Sequence, residues 1–309
     1  MNRLTLTVTP AQDGRTVGSL MRRELSMADG LISSAKFREN GILVNGRRVR
    51  VTDRVHAGDT LSVDVSDRDG NHAAPLDIPV ETLWEDDCLA VLYKPAGICV
   101  YGEGFANLAG ILACKWGKDI AFHPVNRLDV GTTGLMLAAK DGYTHDRLRR
   151  MLHTDAFRRE YIAVTQGAPS PPSGVIGLPI GRDPGPDGRR AVDPAGLDSR
   201  TDYEVVCARD GRALVRLRLR TGRTHQIRVH MAAIGCPLVG DTLYGAADRG
   251  LDRPALHSRR VTLTHPVTGG TIDMSAPPPD DFRALLEPPG GWRLRKRLCE
   301  RQTSESASE

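Results

Sequence analysis

Residues 3–9 (Arg-Leu-Thr-Leu-Thr-Val-Thr) alternate apolar and polar positions, the pattern of a strand with one buried face. Two short stretches at helical spacing follow, over 17–24 and 30–39. Ile42-Leu43-Val44-Asn45-Gly46-Arg47-Arg48-Val49 reads as strand, Asn-Gly turn, strand. A last strand, 60–65, follows the turn at Gly58-Asp59. Strand, two helices, hairpin and strand make a small α/β module over 1–66. The polar run 66–72 then opens a linker assigned to 67–79.

From residue 80 the texture changes to apolar strands separated by Gly/Pro loops. Strands are expected at 88–93, ending at Lys94-Pro95, at 134–140, and at 161–164. Residues 143–152 and 226–234 have helical spacing, and 205–219 carries two alternating stretches. The Pro-, Gly- and Asp-rich segment 168–200 is expected to be a long loop or an irregular hairpin. Strands outnumber helices and their connections are irregular. The expected class is therefore α/β of the α+β kind, with a mixed, largely antiparallel sheet over 80–287. The polar tail 288–309, ending in Ser and Glu, is expected to be disordered.

Composition narrows the classes. With 40% hydrophobic and 26% charged residues in 309, the chain has the balance of an ordinary soluble protein and can bury a sizeable core. A net charge of +4 permits a polyanionic partner without requiring one. The six cysteines, Cys88, Cys99, Cys114, Cys207, Cys236 and Cys299, form no C-x-x-C pair and no zinc spacing, so reduced thiols and no metal are expected. No apolar run has the length of a membrane span, and the first residues lack a signal-peptide pattern. A cytoplasmic protein without a membrane partner is the expectation.

Two blocks carry candidate chemistry. In His123-Pro124-Val125-Asn126-Arg127-Leu128-Asp129-Val130-Gly131-Thr132-Thr133-Gly134, Arg127 and Asp129 lie two apart, so an extended chain projects them to the same side. A turn then leads into an apolar strand, which sets a carboxylate at the mouth of that strand beside a cation. In Arg220-Thr221-Gly222-Arg223-Thr224-His225-Gln226-Ile227-Arg228, a glycine turn enters a helix start rich in donors. Arg223, His225, Gln226 and Arg228 are placed to meet a phosphate or a carboxylate there. Alone, the first block reads as a surface ion pair and the second as a solvated basic helix start.

Together, and with Lys94-Pro95, Arg159-Glu160-Tyr161 and Leu256-His257, these blocks resemble the ordered motifs of the RluA-type pseudouridine synthases. The resemblance covers residues from about 80 to 280. It implies an enzyme that detaches the uracil of selected uridines in structured RNA, rotates it and rejoins it through carbon 5, without a cofactor. By the resemblance, Asp129 is the nucleophile, attacking sugar C1′ or base carbon 6; a carboxylate attacks in its charged form, which a nearby cation favours. Arg228 pairs with that aspartate, Arg127 helps extrude the target nucleotide, and Tyr161 stacks on its base. Leu256 closes the pocket, and Lys94 supports the site rather than reacting. The chain departs from many members in carrying Asn126 where they have histidine and Thr133 where serine is commoner.

The N-terminal module is similar to the small RNA-binding domain named after ribosomal protein S-four, through its helix pair, the Asn45-Gly46 hairpin and the Gly58-Asp59 turn. Lys36, Arg47, Arg48 and Arg50 are its expected RNA-binding residues. Ribosomal RNA is the first expected partner and transfer RNA the second. A non-catalytic ribosome-assembly factor is the alternative from another class. A monomer is expected.

Overall fold

The computed structural model describes residues 3–67, 70–102, 106–152, 154–185, 188–245, 247–248 and 250–286; the tail expected over 288–309 lies outside them. The molecule is a mixed α+β protein with mostly antiparallel sheets.

The first sheet has four antiparallel strands in the order Arg3–Thr7, Thr60–Asp64, Ile42–Val44, Arg47–Arg48. Asn45 (φ 49°) and Gly46 (φ 77°) supply the two left-handed residues that a tight hairpin of this hand demands. The helices Val17–Arg23 and Asp29–Lys36 cover one face. Thr16 starts the first, its hydroxyl accepting from the Ser19 N–H (3.3 Å). Val17, Leu20, Met21, Ile32, Leu61 and Val63 form a core of their own. Tyr143, from the far side of the chain, completes that core and donates its hydroxyl to the Leu25 carbonyl (2.9 Å). The module therefore rests on the helix Gly142–Met151.

The segment read as a linker is not a free spacer. Asp67 accepts from the Gly142 N–H (3.1 Å) and pairs with His123 Nε2 (2.9 Å). Asn71 is buried and donates to the Ala109 carbonyl (2.7 Å), while Ala73, Leu76 and Ile78 pack on the larger core. Scattered apolar residues without a period gave no sign of this contact.

The second sheet runs Ser173–Ile176, Thr201–Arg209, Arg212–Leu219, Phe157–Gln166, Leu256–Thr264, Thr133–Ala139, Leu89–Lys94, Glu81–Glu85. Thr271–Ser275 and His123–Pro124 attach to its sides. All its pairings are antiparallel except a short parallel one, where His257 and Ser258 face Thr133 and Gly134. Gly134 permits that approach: its φ is 106°, and a Cβ there would stand 2.2 Å from the Ser258 carbonyl oxygen. This pairing sets the start of Thr133–Ala139, and hence the Arg127–Asp129 segment before it, at the middle of the sheet.

Residues 168–200 are more regular than their composition implied. They give the edge strand Ser173–Ile176 and a separate hairpin, Ile180–Arg182 with Arg190–Val192. Two helices had no periodic signal. Leu108–Trp116 buries Leu108 through Ala113, so it is apolar on every side; Asn107 caps it by accepting from Gly110 N–H (2.8 Å). Asp280–Leu286 is seven residues long and buries Phe282 fully. Among the described residues no helix is long and apolar enough to cross a membrane.

Candidate active site

The segment after His123–Pro124 alternates as an extended chain should. Asn126 and Leu128 point inward: the Asn126 side-chain Oδ1 accepts from the Leu137 N–H (2.8 Å), and Leu128 joins the core. Arg127 and Asp129 consequently face a cavity of about 1490 Å³, which Tyr161, Arg223, His225 and Arg228 also line. Asp129 closes a turn by accepting, through its backbone carbonyl, from Thr132 N–H (3.0 Å).

That turn is held from below. Lys94 is fully buried and its ammonium donates to the carbonyls of Pro95 (2.9 Å), Ile98 (2.8 Å) and Val130 (3.2 Å). Three N–H groups meet three acceptors, so the ammonium is satisfied without a carboxylate. Burial pulls its pKa down to about 8, with Asp129 opposing. Arg253 donates to the Gly131 carbonyl (3.1 Å) and is itself gripped by Asp281 at 2.8 and 2.7 Å.

Arg228 comes from the helix Gln226–Ala233, entered through His225 in the left-handed conformation (φ 57°, ψ 16°). Its guanidinium forks onto the fully buried Asp241 (Nε to Oδ2 2.7 Å, Nη2 to Oδ1 2.8 Å) and lies 5.0 Å from the Tyr244 ring centroid. Nη1 reaches Asp129 Oδ2 at 3.4 Å. Burial disfavours the charged arginine, but Asp241 and Asp129 more than offset this and its pKa is raised. Asp241 thus orients the guanidinium, while Asp129 touches only one end and keeps most of its lone pairs open to the cavity.

The Tyr244 hydroxyl accepts from Arg190 N–H (2.8 Å), so it donates to His225 Nδ1 (2.9 Å). The network assigns the His225 proton to Nε2, which lies 4.0 Å from Asp129 Oδ2. Burial lowers the His225 pKa below the usual histidine range against the pull of Asp129, so the ring is neutral at pH 7. Tyr161 is buried in the cavity wall, and burial raises its pKa, keeping the phenol protonated.

Two expectations need correction. Gln226 does not face a ligand: its amide accepts from Thr221 Oγ1 (2.7 Å) and Arg223 N–H (3.0 Å) and donates to Arg200 O and Thr201 Oγ1 (both 3.0 Å). It shapes the loop instead. Leu256, expected to close the pocket, sits in the core beside Tyr161, off the cavity wall. Lys94 lies under the cavity, where it holds the turn carrying Asp129. Arg223 does line the cavity, with Nε on the Asp198 carbonyl (3.1 Å). Lys36, Arg48 and Arg50 line a separate groove of about 670 Å³ on the N-terminal module, with Arg47 beside them; none of the four is ion-paired among the described residues. Asp241, Tyr244 and Arg253 were missed. Their signal was indirect: a buried arginine such as Arg228 demands a carboxylate, and Asp241 is the one it finds.

Among the described residues, Asp86, Cys88 and His265 are close enough together to hold a metal. His265 Nδ1 accepts from the N–H of Val267 (3.2 Å) and Thr268 (3.0 Å), so Nε2 carries the proton and donates it to Asp86 (2.9 Å). Burial, with Asp86 adding to it, pushes the Cys88 thiol up to about 12. The ring directs its Nε2 proton toward Asp86 and lies 3.7 Å from the Cys88 sulfur, so hydrogen bonds tie the trio together.

A family model described as RNA pseudouridylate synthase matches residues 88–233. The chain is 33% identical over 290 residues to the uncharacterized RNA pseudouridine synthase YhcT of Bacillus subtilis, covering 91% of this chain and 96% of that one. It is 36% identical over 265 residues to ribosomal large subunit pseudouridine synthase D of Xanthomonas campestris, covering 79% and 80%. The solved structure of human RNA pseudouridylate synthase domain containing 4 superposes with a TM-score of 0.55 at 26% identity, covering 66% of this chain and 91% of that one.

Proposed function

The chain belongs to the RNA pseudouridine synthases, which are isomerases, and from that premise we propose that it modifies uridines of ribosomal RNA with Asp129 as the nucleophile. The observation that carries the assignment is the division of labour at Arg228. Asp241 takes its two short bonds and Asp129 is left at 3.4 Å, with open lone pairs facing the cavity.

The glycosidic bond is inaccessible inside a stacked helix, so the target uridine must leave the stack, at a cost of a few kcal/mol. Arg127, exposed at the cavity mouth, takes the vacated space or the neighbouring phosphate. The Tyr161 ring packs against the entering base, which is worth about 1–3 kcal/mol. Asp129 then attacks. In one route its oxygen bonds to C1′ as the C1′–N1 bond breaks, and the electron pair departs on uracil. After rotation, C5 attacks C1′, Asp129 leaves, and the C5 proton is lost as N1 gains one. In the other route Asp129 adds to carbon 6, its electron pair pushing the C5–C6 double bond toward the C4 carbonyl. The C1′–N1 bond breaks, C5 bonds to C1′, and Asp129 is expelled from carbon 6 as C5 loses its proton and N1 gains one. Both need the same carboxylate in the same place. Arg228, held charged by Asp241, orients it.

The ribosomal assignment is supported by the relatives named ribosomal large subunit pseudouridine synthase D, from Xanthomonas campestris and from Yersinia pestis at 34% identity. The basic groove of the S-four-like module supplies a second grip on the RNA backbone. Mapping pseudouridines by chemical adduct and reverse-transcription stops in RNA from a deletion strain tests the reading. A ribosomal site lost on deletion and restored by the gene is expected. A loss confined to transfer RNA would overturn the ribosomal assignment, and no loss at all would overturn the activity.

A further inference from the structure

Arg159 lines the cavity, takes no part in the mechanism above, and lacks what a buried arginine needs. It sits in the strand Phe157–Gln166, two residues before Tyr161 and on the same face, and is 6% exposed. Its Nε and Nη2 are closed off from solvent and have no hydrogen-bond partner. The nearest company is apolar: the guanidinium lies 5.8 Å from the Phe157 ring centroid. Buried polar groups are almost always partnered, and a buried cation carries a desolvation cost that no carboxylate among the described residues offsets.

The surroundings fit an absent anion. Arg159, Leu152 and Leu219 stand where the Asp129 cavity meets a second cavity of about 730 Å³, so the guanidinium borders a continuous groove. Arg149 and Arg223 also line the Asp129 cavity, and among the described residues neither pairs with a carboxylate. Gly222 keeps the space above the guanidinium clear, since a Cβ there would stand 3.2 Å from Nη1. Three arginines line this cavity, and the buried one, Arg159, faces Gly222 with two of its nitrogens unpartnered. Arginine's planar fork matches two oxygens of one tetrahedral phosphate.

We propose that Arg159, flanked by Arg149 and Arg223, is a positioning residue that grips a backbone phosphate beside the extruded uridine, reached by rotation of its side chain into the cavity it lines. The inference rests on the proposed function and deepens it. Phosphate contacts set register without reading sequence. Here the contact is two residues before the stacking tyrosine on the same strand face, so it sets how far the nucleotide enters.

Arg159→Met and Arg159→Lys test this. In thermal unfolding, inorganic phosphate is expected to raise the midpoint of the wild type and not that of Arg159→Met. In buffer alone, Arg159→Met is expected to melt no lower than the wild type, because an unpaired buried charge has been removed. Its Kd for ribosomal RNA from a deletion strain is expected to rise by about tenfold or more, while the single-turnover rate at saturating RNA falls much less. Arg159→Lys keeps the charge but not the fork and is expected to lie between. Equal phosphate shifts and equal RNA affinities in all three proteins would overturn the proposal. So would a lower melting point for Arg159→Met in buffer, which marks a structural role. If Arg159→Met does not fold, Arg159→Lys decides: a wild-type phosphate shift and RNA affinity overturn the proposal, and a diminished shift with weaker affinity supports it. A wild type that makes no pseudouridine in ribosomal RNA defeats the proposed function, and the phosphate arm still judges the subsite.

Discussion

Replacing Asp241 by asparagine removes one negative charge from beneath Arg228 and keeps the side chain's volume. Asp241 is fully buried, and both its oxygens accept from the guanidinium at 2.7 and 2.8 Å. One oxygen also accepts from the backbone N–H of Leu243 (3.2 Å) and Tyr244 (3.3 Å). Asparagine offers one acceptor where two were used, and turns an N–H donor toward another donor. Breaking a buried ion pair by removing one partner costs about 3–5 kcal/mol. Asp129 returns part of this, because its carboxylate stays within 3.4 Å of Nη1. A net loss of about 3 kcal/mol is the expectation. At about 2–4 °C per kcal/mol for a chain of this size, the melting midpoint should drop by roughly 6–12 °C. Asp129→Asn is the matched control. Its carboxylate is 25% exposed and makes one long contact to Arg228, so its loss should change stability by less than about 1 kcal/mol. Thermal and urea unfolding of the three proteins in parallel measures both values. An Asp241→Asn midpoint within about 2 °C of wild type, or equal losses for the two variants, would refute the claim that Asp241 rather than Asp129 holds Arg228.

Three further outcomes follow from the geometry. Arg228→Lys should fold but lose roughly a hundredfold or more in single-turnover rate, since an ammonium cannot fork onto Asp241 and reach Asp129 together; a near-wild-type rate would break the proposed pairing. Changing Arg47, Arg48 and Arg50 to Gln should weaken RNA binding across sequences and reduce the salt slope by about one per charge; filter binding with an unchanged slope would show that the module does not hold the backbone. Lys94 links pH to both stability and activity in opposite directions. Burial lowers its pKa from 10.5 to about 8, so between these values the unfolded chain binds more protons and stability from this group rises with pH. Over the same range the amine loses one of the three N–H donors that hold the Pro95, Ile98 and Val130 carbonyls, so activity should fall through an apparent pKa near 8. A pH–rate profile flat to about pH 9.5 would contradict that role.

Much of the N-terminal module was legible because its elements are short and each carries its own signal. The 3–9 alternation, the two helical stretches and the Asn45-Gly46 turn all appear within a few residues of the expected places. The helix Leu108–Trp116 was not legible, because burial on every side erases the 3.6-residue period that marks a helix. The placement of Arg127 and Asp129 on one side could be read from their spacing, since Asn126 and Leu128 alternate inward between and before them. The placements of Lys94, Gln226 and Leu256 could not, because whether a polar or apolar side chain ends on the wall or beneath it depends on long-range pairing. Lys94 finds its carbonyl on Val130, thirty-six positions away, and Gln226 finds Arg200 and Thr201 twenty-six and twenty-five positions away. Asp241 was hidden for the same reason: thirteen residues from Arg228, it becomes its partner only when the turn after the helix folds back.

The central claim is that Asp129 does the chemistry, and release of tritium from RNA carrying uridine labelled at C5 tests it most directly, since that hydrogen leaves only when C5 becomes bonded to the sugar. Ribosomal RNA labelled in a deletion strain is mixed with excess wild type or Asp129→Asn, and tritium release and RNA binding are measured on the same preparations. The wild type should release tritium in a single turnover, and Asp129→Asn should release none while binding the RNA within about threefold of wild type. Release by Asp129→Asn within about tenfold of the wild-type rate would contradict the assignment and place the nucleophile elsewhere in the cavity.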